Sequence, residues 1–174
     1  MALAPRPPEL VAKVRRSLRV WQAMGAPQMV LDVLQNGIDL YKLSDGSLAS
    51  LIGSEHGRTD IKDSRQASWL WQEIQRKVSE GMWCRMPESE AHKFCIIKAF
   101  VIPKPRRPDA FRDVWDERPV NLRLPRRRFK FETLETVARM LGKDWWFATL
   151  DLKEAYHHIG LKESSQRFCA SEAS

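Results

Sequence analysis

Apolar residues recur at helical spacing in three stretches of the first half of the chain. They cover residues 9–24, 27–36 and 64–80, and a glycine, a frequent helix terminator, follows each of them. Ser64 stands at the start of the third stretch, where its hydroxyl is suited to cap a helix. The apolar stripe of that helix includes Trp71, which we therefore expect in the core.

The second half shows a different pattern, in which runs typical of strands alternate with short helical segments. Residues 93–103 form a β-rich apolar run that ends in a proline, and residues 118–124 alternate between apolar and polar side chains. A long loop rich in Pro and Arg is expected between these two strands. Helical spacing returns in residues 131–142, a further strand is expected over 145–151, and a short helix over 153–159.

The order of these elements predicts an α+β protein with a helical N-terminal segment. Residues 44–63 are rich in Ser, Gly and Asp, so we expect them to form a loop or linker. The sequence therefore divides into a helical segment 1–43, the linker, and a longer mixed region from residue 64 onward.

The composition indicates the class of protein and its expected compartment. The 174 residues are 43% hydrophobic and 29% charged, as in ordinary globular proteins. Three cysteines without close spacing argue against a disulfide framework and fit a reducing compartment, so we expect the cytoplasm or nucleus. No apolar run approaches the roughly 20 residues of a membrane span, so no membrane partner is expected. The basic stretch 4–21 has two interpretations, an organelle transit peptide or an amphipathic surface helix.

Positive charge is concentrated in residues 102–130. The net charge is +7, and this stretch holds ten basic residues against four acids. The basic residues are Lys104, Arg106, Arg107, Arg112, Arg118, Arg123, Arg126, Arg127, Arg128 and Lys130. Two interpretations stay open: a solvated loop face, or a surface that binds the phosphates of a polyanion.

Four motifs occur in a fixed order: "FVIPKP" at 100–105, "ERPVNLRL" at 117–124, "FKFETLETV" at 129–137 and "WFATLDLKEAYHHIGLKESSQRFCA" at 146–170. This series resembles the first half of the reverse transcriptase core of retrotransposons, particularly the DIRS-like group. The resemblance covers residues 64–174, and "WQAMGAPQMVLDVLQNGI" at 21–38 is similar to the region that precedes that core. It implies a partial right-hand polymerase, with fingers over 64–130 and the start of the palm over 131–174.

The resemblance also implies roles for individual residues. Asp151 would be the catalytic carboxylate of the first palm motif, holding Mg²⁺, a cation that proteins bind through one or two carboxylates plus substrate phosphates. From the residues alone, Asp151 has a second interpretation, the cap of a helix that begins at Leu152. Tyr156 would close the sugar pocket and exclude a 2′-hydroxyl, the alternative being a core aromatic.

Further positions would contact the incoming nucleotide and the primer–template. The turn Leu152, Lys153, Glu154 and Ala155 would offer backbone N–H groups to the triphosphate. Lys104 and Arg118 would grip triphosphate oxygens, with Arg106 or Arg107 as a replacement for Lys104 because the interval to Arg118 is long. RNA or DNA would lie against a basic surface made by Arg106, Arg107, Arg123, Arg126, Arg127, Arg128 and Lys130.

Two departures from the family pattern limit what these 174 residues are expected to do. Asn121 stands where the family has an aspartate, and no adjacent Asp-Asp pair occurs anywhere in the sequence. Because one carboxylate does not make a two-metal site, we expect no polymerisation by this chain alone. Three functions stay open: part of a polymerase, a nucleic-acid-binding module without catalysis, or a structural subunit. The strand 145–151 would lack its neighbours, which predicts self-association through its free edge.

Overall fold

The chain contains both helices and short strands, which confirms the predicted α+β class. The computed structural model describes residues 9–126, 128, 130–146, 148 and 151–172. The α-helices of this part of the chain are α1 Glu9–Arg16, α2 Leu18–Ala23, α3 Gln28–Asn36, α4 Leu40–Leu43, α5 Ser64–Ser79, α6 Arg118–Asn121, α7 Leu134–Met140 and α8 Glu163–Gln166. Short 3₁₀ helices occupy Ser47–Leu51, Glu88–Lys93 and Ala155–His158, and the strands are β1 Glu55–His56, β2 Ile96–Ile97, β3 Ala99–Lys104 and β4 Arg107–Trp115.

The first predicted helix is divided in two. Helix α1 ends before Ser17, whose hydroxyl donates to the carbonyl of Val14 at 2.7 Å, and α2 starts at the next residue. A Ser side chain that competes for a backbone carbonyl in this way favours a break in the helix. Helix α3 buries Leu31 and Leu34 and ends at Gly37, as the spacing predicts.

Helix α5 matches its predicted range, but its cap and its buried face differ from the prediction. The N-cap is Asp63, whose carboxylate accepts from the amides of Arg65 and Gln66, so the predicted cap Ser64 is the first helical residue. Trp71 is 52% exposed, and the prediction that it lies in the core is wrong.

The stretch 105–117, predicted to be a loop, forms most of a β-hairpin. Strand β4 pairs antiparallel with β3 from Ala99 opposite Trp115 to Pro103 opposite Phe111, so Pro103 lies within β3 and does not end it. The inward positions of β4 are Phe111, Asp113 and Trp115. An acid at the middle inward position hides the two-residue periodicity that would have indicated a strand.

The predicted strand over residues 118–124 is a helical turn instead. Helix α6 has Pro119 in its first turn, where the fixed φ of proline fits a helix. Val120 is buried, but Leu122 is 72% exposed, so the alternation of apolar residues does not mark one buried face. This part of the predicted fingers therefore departs from the expected strand.

Residues 44–63, predicted to be a loop or linker, supply part of the core. Leu48 and Leu51 of the 3₁₀ helix Ser47–Leu51 are 0% and 1% exposed. They pack with residues from distant parts of the chain, in a buried cluster of Leu48, Leu51, Cys95, Ile97, Val120 and Phe168. The stretch is therefore not a free linker: its two leucines, three residues apart, lie in the core, while most of its polar residues stay exposed.

The N-terminal segment is joined to the C-terminal part of the chain by backbone hydrogen bonds. The amide of Ile38 donates to the carbonyl of Gly160 at 2.8 Å, and the amide of Lys162 donates to Ile38 at 3.0 Å. Two residues further on, the amide of Leu40 donates to the buried hydroxyl of Ser165 at 2.9 Å. Residues 160–165 of the predicted palm region are therefore held by the segment that precedes the predicted fingers.

The described residues between 130 and 151 lie largely exposed. Helix α7 is capped by Thr133 and has no buried residue, and Trp146 is 99% exposed. Trp145, Trp146, Ala148 and Asp151 are not in a strand, and the other positions of the predicted strand 145–151 lie outside the described residues. In the described part of the chain, no helix has the length and apolar character needed to cross a membrane.

Candidate nucleic-acid and nucleotide site

The tip of the β3–β4 hairpin carries three exposed cations. Lys104 ends β3, Arg106 occupies the turn with φ +63°, and Arg107 starts β4. Within the described part of the chain, none of the three forms an ion pair or a side-chain hydrogen bond. Their charges are therefore available to an anion from solution.

The outward face of the hairpin combines apolar and basic side chains. Phe100, Ile102 and Val114 are each about 40% exposed, and Arg112 is opposite Ile102 in the register. The ammonium of Lys98 lies 5.1 Å from the centre of the Phe100 ring. Sequence reasoning assigned no role to Lys98, and it listed Arg112 only among the basic residues of 102–130.

Arg118, predicted to bind the triphosphate, is engaged by a neighbouring acid. Its Nε and Nη2 atoms donate to the two carboxylate oxygens of Asp116 at 2.7 and 2.6 Å. These hydrogen bonds from Arg118 lower the pKa of Asp116 to about 2. The side chain of Arg118 is 82% exposed, so the pair is open to solvent and a stronger anion would have to displace Asp116.

Arg123, predicted to contact nucleic acid, forms hydrogen bonds within the fold. Its Nε donates to the hydroxyl of Ser50 at 3.1 Å and its Nη1 to the carbonyl of Pro119 at 3.0 Å. The carbonyl of Arg123 also accepts from the hydroxyl of Ser47 at 3.0 Å. The residue therefore ties α6 to the 3₁₀ helix Ser47–Leu51.

The other predicted nucleic-acid contacts follow α6. Arg126, Arg128 and Lys130 are exposed and lie outside any helix or strand. Arg127 lies outside the described residues. Among the predicted nucleic-acid contacts that the structure describes, Arg123 thus bonds within the chain, and the others are open to solvent.

Asp151 is exposed and does not cap a helix. The helix that follows is the 3₁₀ helix Ala155–His158, whose N-cap is Glu154, so the helix-cap alternative is wrong. Among the described residues, no group of three or more His, Cys, Asp or Glu side chains is placed to hold a metal ion. Asp151 therefore offers a magnesium ion one carboxylate, and the described residues do not complete a two-metal site around it.

The predicted nucleotide-binding turn forms a tight bend at the surface. Leu152 is 65% and Tyr156 is 95% exposed, so Tyr156 is not a core aromatic. Lys153 and Ala155 are exposed as well, and Glu154 has a left-handed backbone with φ +54°. The amide of His157 donates to the carbonyl of Glu154 at 2.9 Å, which starts the 3₁₀ helix.

A network of ion pairs connects this turn to α5. The guanidinium of Arg76 contacts three carboxylates at 2.6 Å, those of Glu73, Glu80 and Glu154. Hydrogen bonds, first of all with Glu73, raise the pKa of Arg76, and Arg76 in turn lowers the pKa of Glu73. Sequence reasoning missed Arg76, although acids three residues before it and four after it were a visible signal of a helix ion-pair network.

A buried ion pair lies next to this network. Lys77 is 5% exposed and its Nζ lies 2.8 Å from the Oδ2 of Asp113 on the hairpin. Burial opposes ionisation of Asp113, but hydrogen bonds from Lys77 and Trp115 outweigh it and lower the pKa. Burial, followed by the charge of Lys77, lowers the pKa of His157. Helix α5 therefore contacts the hairpin through Lys77 and the turn through Arg76.

Comparison with known proteins adds no relative: no protein-family model, no curated protein and no solved structure matches this chain at a significant level.

Proposed function

We propose that this chain is the fingers and first palm motif of a retroelement reverse transcriptase of the DIRS-like type. In this proposal the 174 residues bind an RNA or DNA primer–template and a deoxynucleoside triphosphate in the cytoplasm or nucleus. Four sequence motifs in the order found in that family support the assignment, and the exposed cations of the hairpin support contact with a polyanion.

The proposed binding function rests on one observation: the three cations at the hairpin tip have no ion-pair partner among the described residues. Lys104, Arg106 and Arg107 project from the tip of a two-stranded ribbon without partners among the described residues, unlike Arg118 and Arg123. Unpaired cations release the counterions of a nucleic acid backbone when they bind it, whereas cations already paired with an acid contribute less. Phe100 and Ile102 next to the tip would add apolar contact with sugars or bases.

In the same proposal, Asp151 binds magnesium together with the triphosphate oxygens, and Tyr156 lies against the sugar. Magnesium would neutralise the charge of the triphosphate and orient it. Asp151 and Tyr156 are both exposed, five residues apart on one bend, and accessible to a ligand. One carboxylate does not hold the two ions of in-line nucleotidyl transfer, so we propose binding by these 174 residues and not polymerisation.

The test is direct titration of the 174-residue chain with a fluorescent RNA–DNA primer–template at several salt concentrations. The proposal predicts saturable binding whose affinity falls linearly with salt on logarithmic axes, with about one unit of slope for each phosphate contact. Binding that does not depend on salt, or no binding at low salt, would overturn it. Polymerisation by the chain alone would contradict the restriction to binding.

A second candidate function rests on a separate observation. Trp145 and Trp146 are 61% and 99% exposed, and Leu134 of α7 is 89% exposed. Apolar side chains in such a stretch favour coverage by another protein surface. We therefore keep a structural role, by self-association or within a larger assembly, as the alternative to nucleotide binding.

A further inference from the structure

One ion pair links helix α5 to the proposed nucleotide-binding turn. The Nη2 of Arg76 donates to the Oε1 of Glu154 at 2.6 Å, across 78 residues of sequence. The two side chains are 33% and 21% exposed, so the pair is partly sheltered from water. Arg76 is itself oriented by Glu73, which accepts from its Nε and Nη2 at 3.0 and 2.6 Å.

Glu154 occupies the position where the turn changes direction. Its φ of +54° is a left-handed conformation, which is unfavourable for a residue with a side chain and needs surrounding contacts to hold it. Its carbonyl accepts from the amide of His157, the first hydrogen bond of the following 3₁₀ helix. Holding the Glu154 side chain therefore holds the bend between Asp151 and Tyr156.

The charge of Glu154 adds a second reason for the ion pair. A carboxylate in a turn that receives a triphosphate would repel it. The ion pair with Arg76 offsets part of this repulsion and draws the Glu154 carboxylate toward α5. An arginine is suited to this, because its planar fork also bonds Glu73 and Glu80 at the same time.

We propose that Arg76 is a positioning residue for nucleotide binding, which fixes the 151–156 turn and pairs the Glu154 carboxylate without touching the nucleotide. The identity of the ligand in this inference rests on the proposed function, whereas the role of Arg76 in the geometry of the turn does not. It makes two separate statements: the ion pair keeps the turn closed, and the closed turn, with its Glu154 carboxylate paired, binds triphosphate more tightly.

The first statement is tested by hydrogen–deuterium exchange of the whole chain, followed in peptides that cover residues 152–158. We expect Glu154→Gln and Arg76→Gln each to speed exchange of this segment about fivefold, and the double variant to speed it no further. Glu80→Gln is the matched control, because it removes another partner of Arg76 without touching the turn, and should change the rate less than about twofold. Equal rates in Glu154→Gln and Glu80→Gln, or additive effects in the double variant, would overturn the proposal.

The second statement is tested by calorimetric titration with magnesium–dATP. Arg76→Gln should weaken binding about tenfold, because it leaves Glu154 unpaired, and Arg76→Lys should recover much of the loss by restoring the charge. If the unmodified chain binds magnesium–dATP and Arg76→Gln binds it equally well, the positioning role is overturned and the proposed function stands. If the unmodified chain does not bind it while Glu154→Gln still opens the turn, the nucleotide function fails and the structural link stands.

Discussion

The ammonium of Lys77 and the carboxylate of Asp113 form an ion pair that is shielded from solvent. The two atoms lie 2.8 Å apart, and the side chains are 7% and 13% exposed. The indole of Trp115 donates to the same oxygen of Asp113 at 2.7 Å, and the ring of Trp83 lies 4.4 Å from the ammonium. Because Lys77 belongs to α5 and Asp113 to β4, this pair fixes the helix against the hairpin.

Removing one partner of this pair should destabilise the fold strongly. Lys77→Met leaves the Asp113 carboxylate buried and without its cation, which we expect to lower the free energy of unfolding by about 3–5 kcal/mol. Urea denaturation measures the loss. Lys93→Met, which removes an exposed pair with Glu90, is the control and should cost about 1 kcal/mol or less. A similar loss in both variants would contradict a buried role for Lys77.

The same carboxylate predicts how stability responds to acid. The folded pKa of Asp113 is lowered, so its contribution is full above its unfolded pKa of about 3.9 and is lost as pH falls through the folded value. The difference in free energy of unfolding between the unmodified chain and Asp113→Asn should therefore be largest near neutral pH and shrink below about pH 4. A difference that does not change with pH would show that Asp113 is not ionised in the fold.

Glu117 should behave in the opposite way, which makes it a control for the acid experiment. Burial raises its pKa, so its ionised form is unfavourable in the folded chain. That penalty is absent below the unfolded pKa of about 4.3 and grows as pH rises through the folded value. Glu117→Gln should gain stability relative to the unmodified chain as pH rises, and a relative loss would contradict the burial of this carboxylate.

The contact between Gly37 and Gly160 should not tolerate a side chain. Gly37 has φ +83°, and a Cβ there would lie 2.7 Å from the carbonyl oxygen of Gly160. We expect Gly37→Ala to lower the free energy of unfolding by about 3 kcal/mol, because strain and a backbone clash add. Gly46→Ala separates the two effects, because Gly46 has φ +82° but open space around it. We expect this substitution to lower the free energy of unfolding by only about 1 kcal/mol.

Equal losses in the two glycine variants, measured by thermal unfolding, would mean that the N-terminal segment does not pack against residue 160 as described. The packing would also fail if Gly37→Ala were neutral.

The exposed tryptophans predict self-association. We expect the sedimentation coefficient of the chain to rise with concentration, and Trp145→Ser with Trp146→Ser to reduce this rise. Trp71→Ser removes a tryptophan that is 52% exposed on α5 and should leave association unchanged. If the chain stays monomeric at all concentrations, the prediction that another copy of the chain covers these tryptophans is wrong.

Sequence periodicity predicted the range of those helices that have a regular apolar stripe, although it did not predict that α5 buries Lys77 and exposes Trp71. Helices α3 and α5 have simple stripes closed by a glycine, and both appear within a few residues of the expected range. The β4 strand was missed because a charged residue, Asp113, points inward and is neutralised by Lys77 from a distant helix. Pattern reasoning treats such a residue as exposed, since the partner is not visible in the local sequence.

For the candidate site too, the sequence predicted local features but not contacts between distant residues. The exposed cations of the hairpin tip could be listed from composition, but the sequence does not tell that Arg118 is paired with Asp116 or that Arg123 bonds Ser50. Arg76 was missed for a related reason, because its importance comes from Glu154, which is close only in the folded chain. The roles of Asp151 and Tyr156 in metal and sugar binding stay predictions, supported by their place in the motif and by their exposure.

We propose that the unpaired cations of the hairpin tip, and not net charge alone, bind a primer–template. The decisive measurement is the salt dependence of primer–template affinity for Arg106→Ala with Arg107→Ala, compared with Arg16→Ala with Arg19→Ala. Each double variant removes two units from the net charge of +7, and Arg16 and Arg19 are exposed on α1 and α2. We expect the hairpin variant to weaken binding and to reduce the salt slope by about two, and the control variant to keep the slope of the unmodified chain. Equal reductions in both variants would mean that only net charge matters and would contradict this proposal.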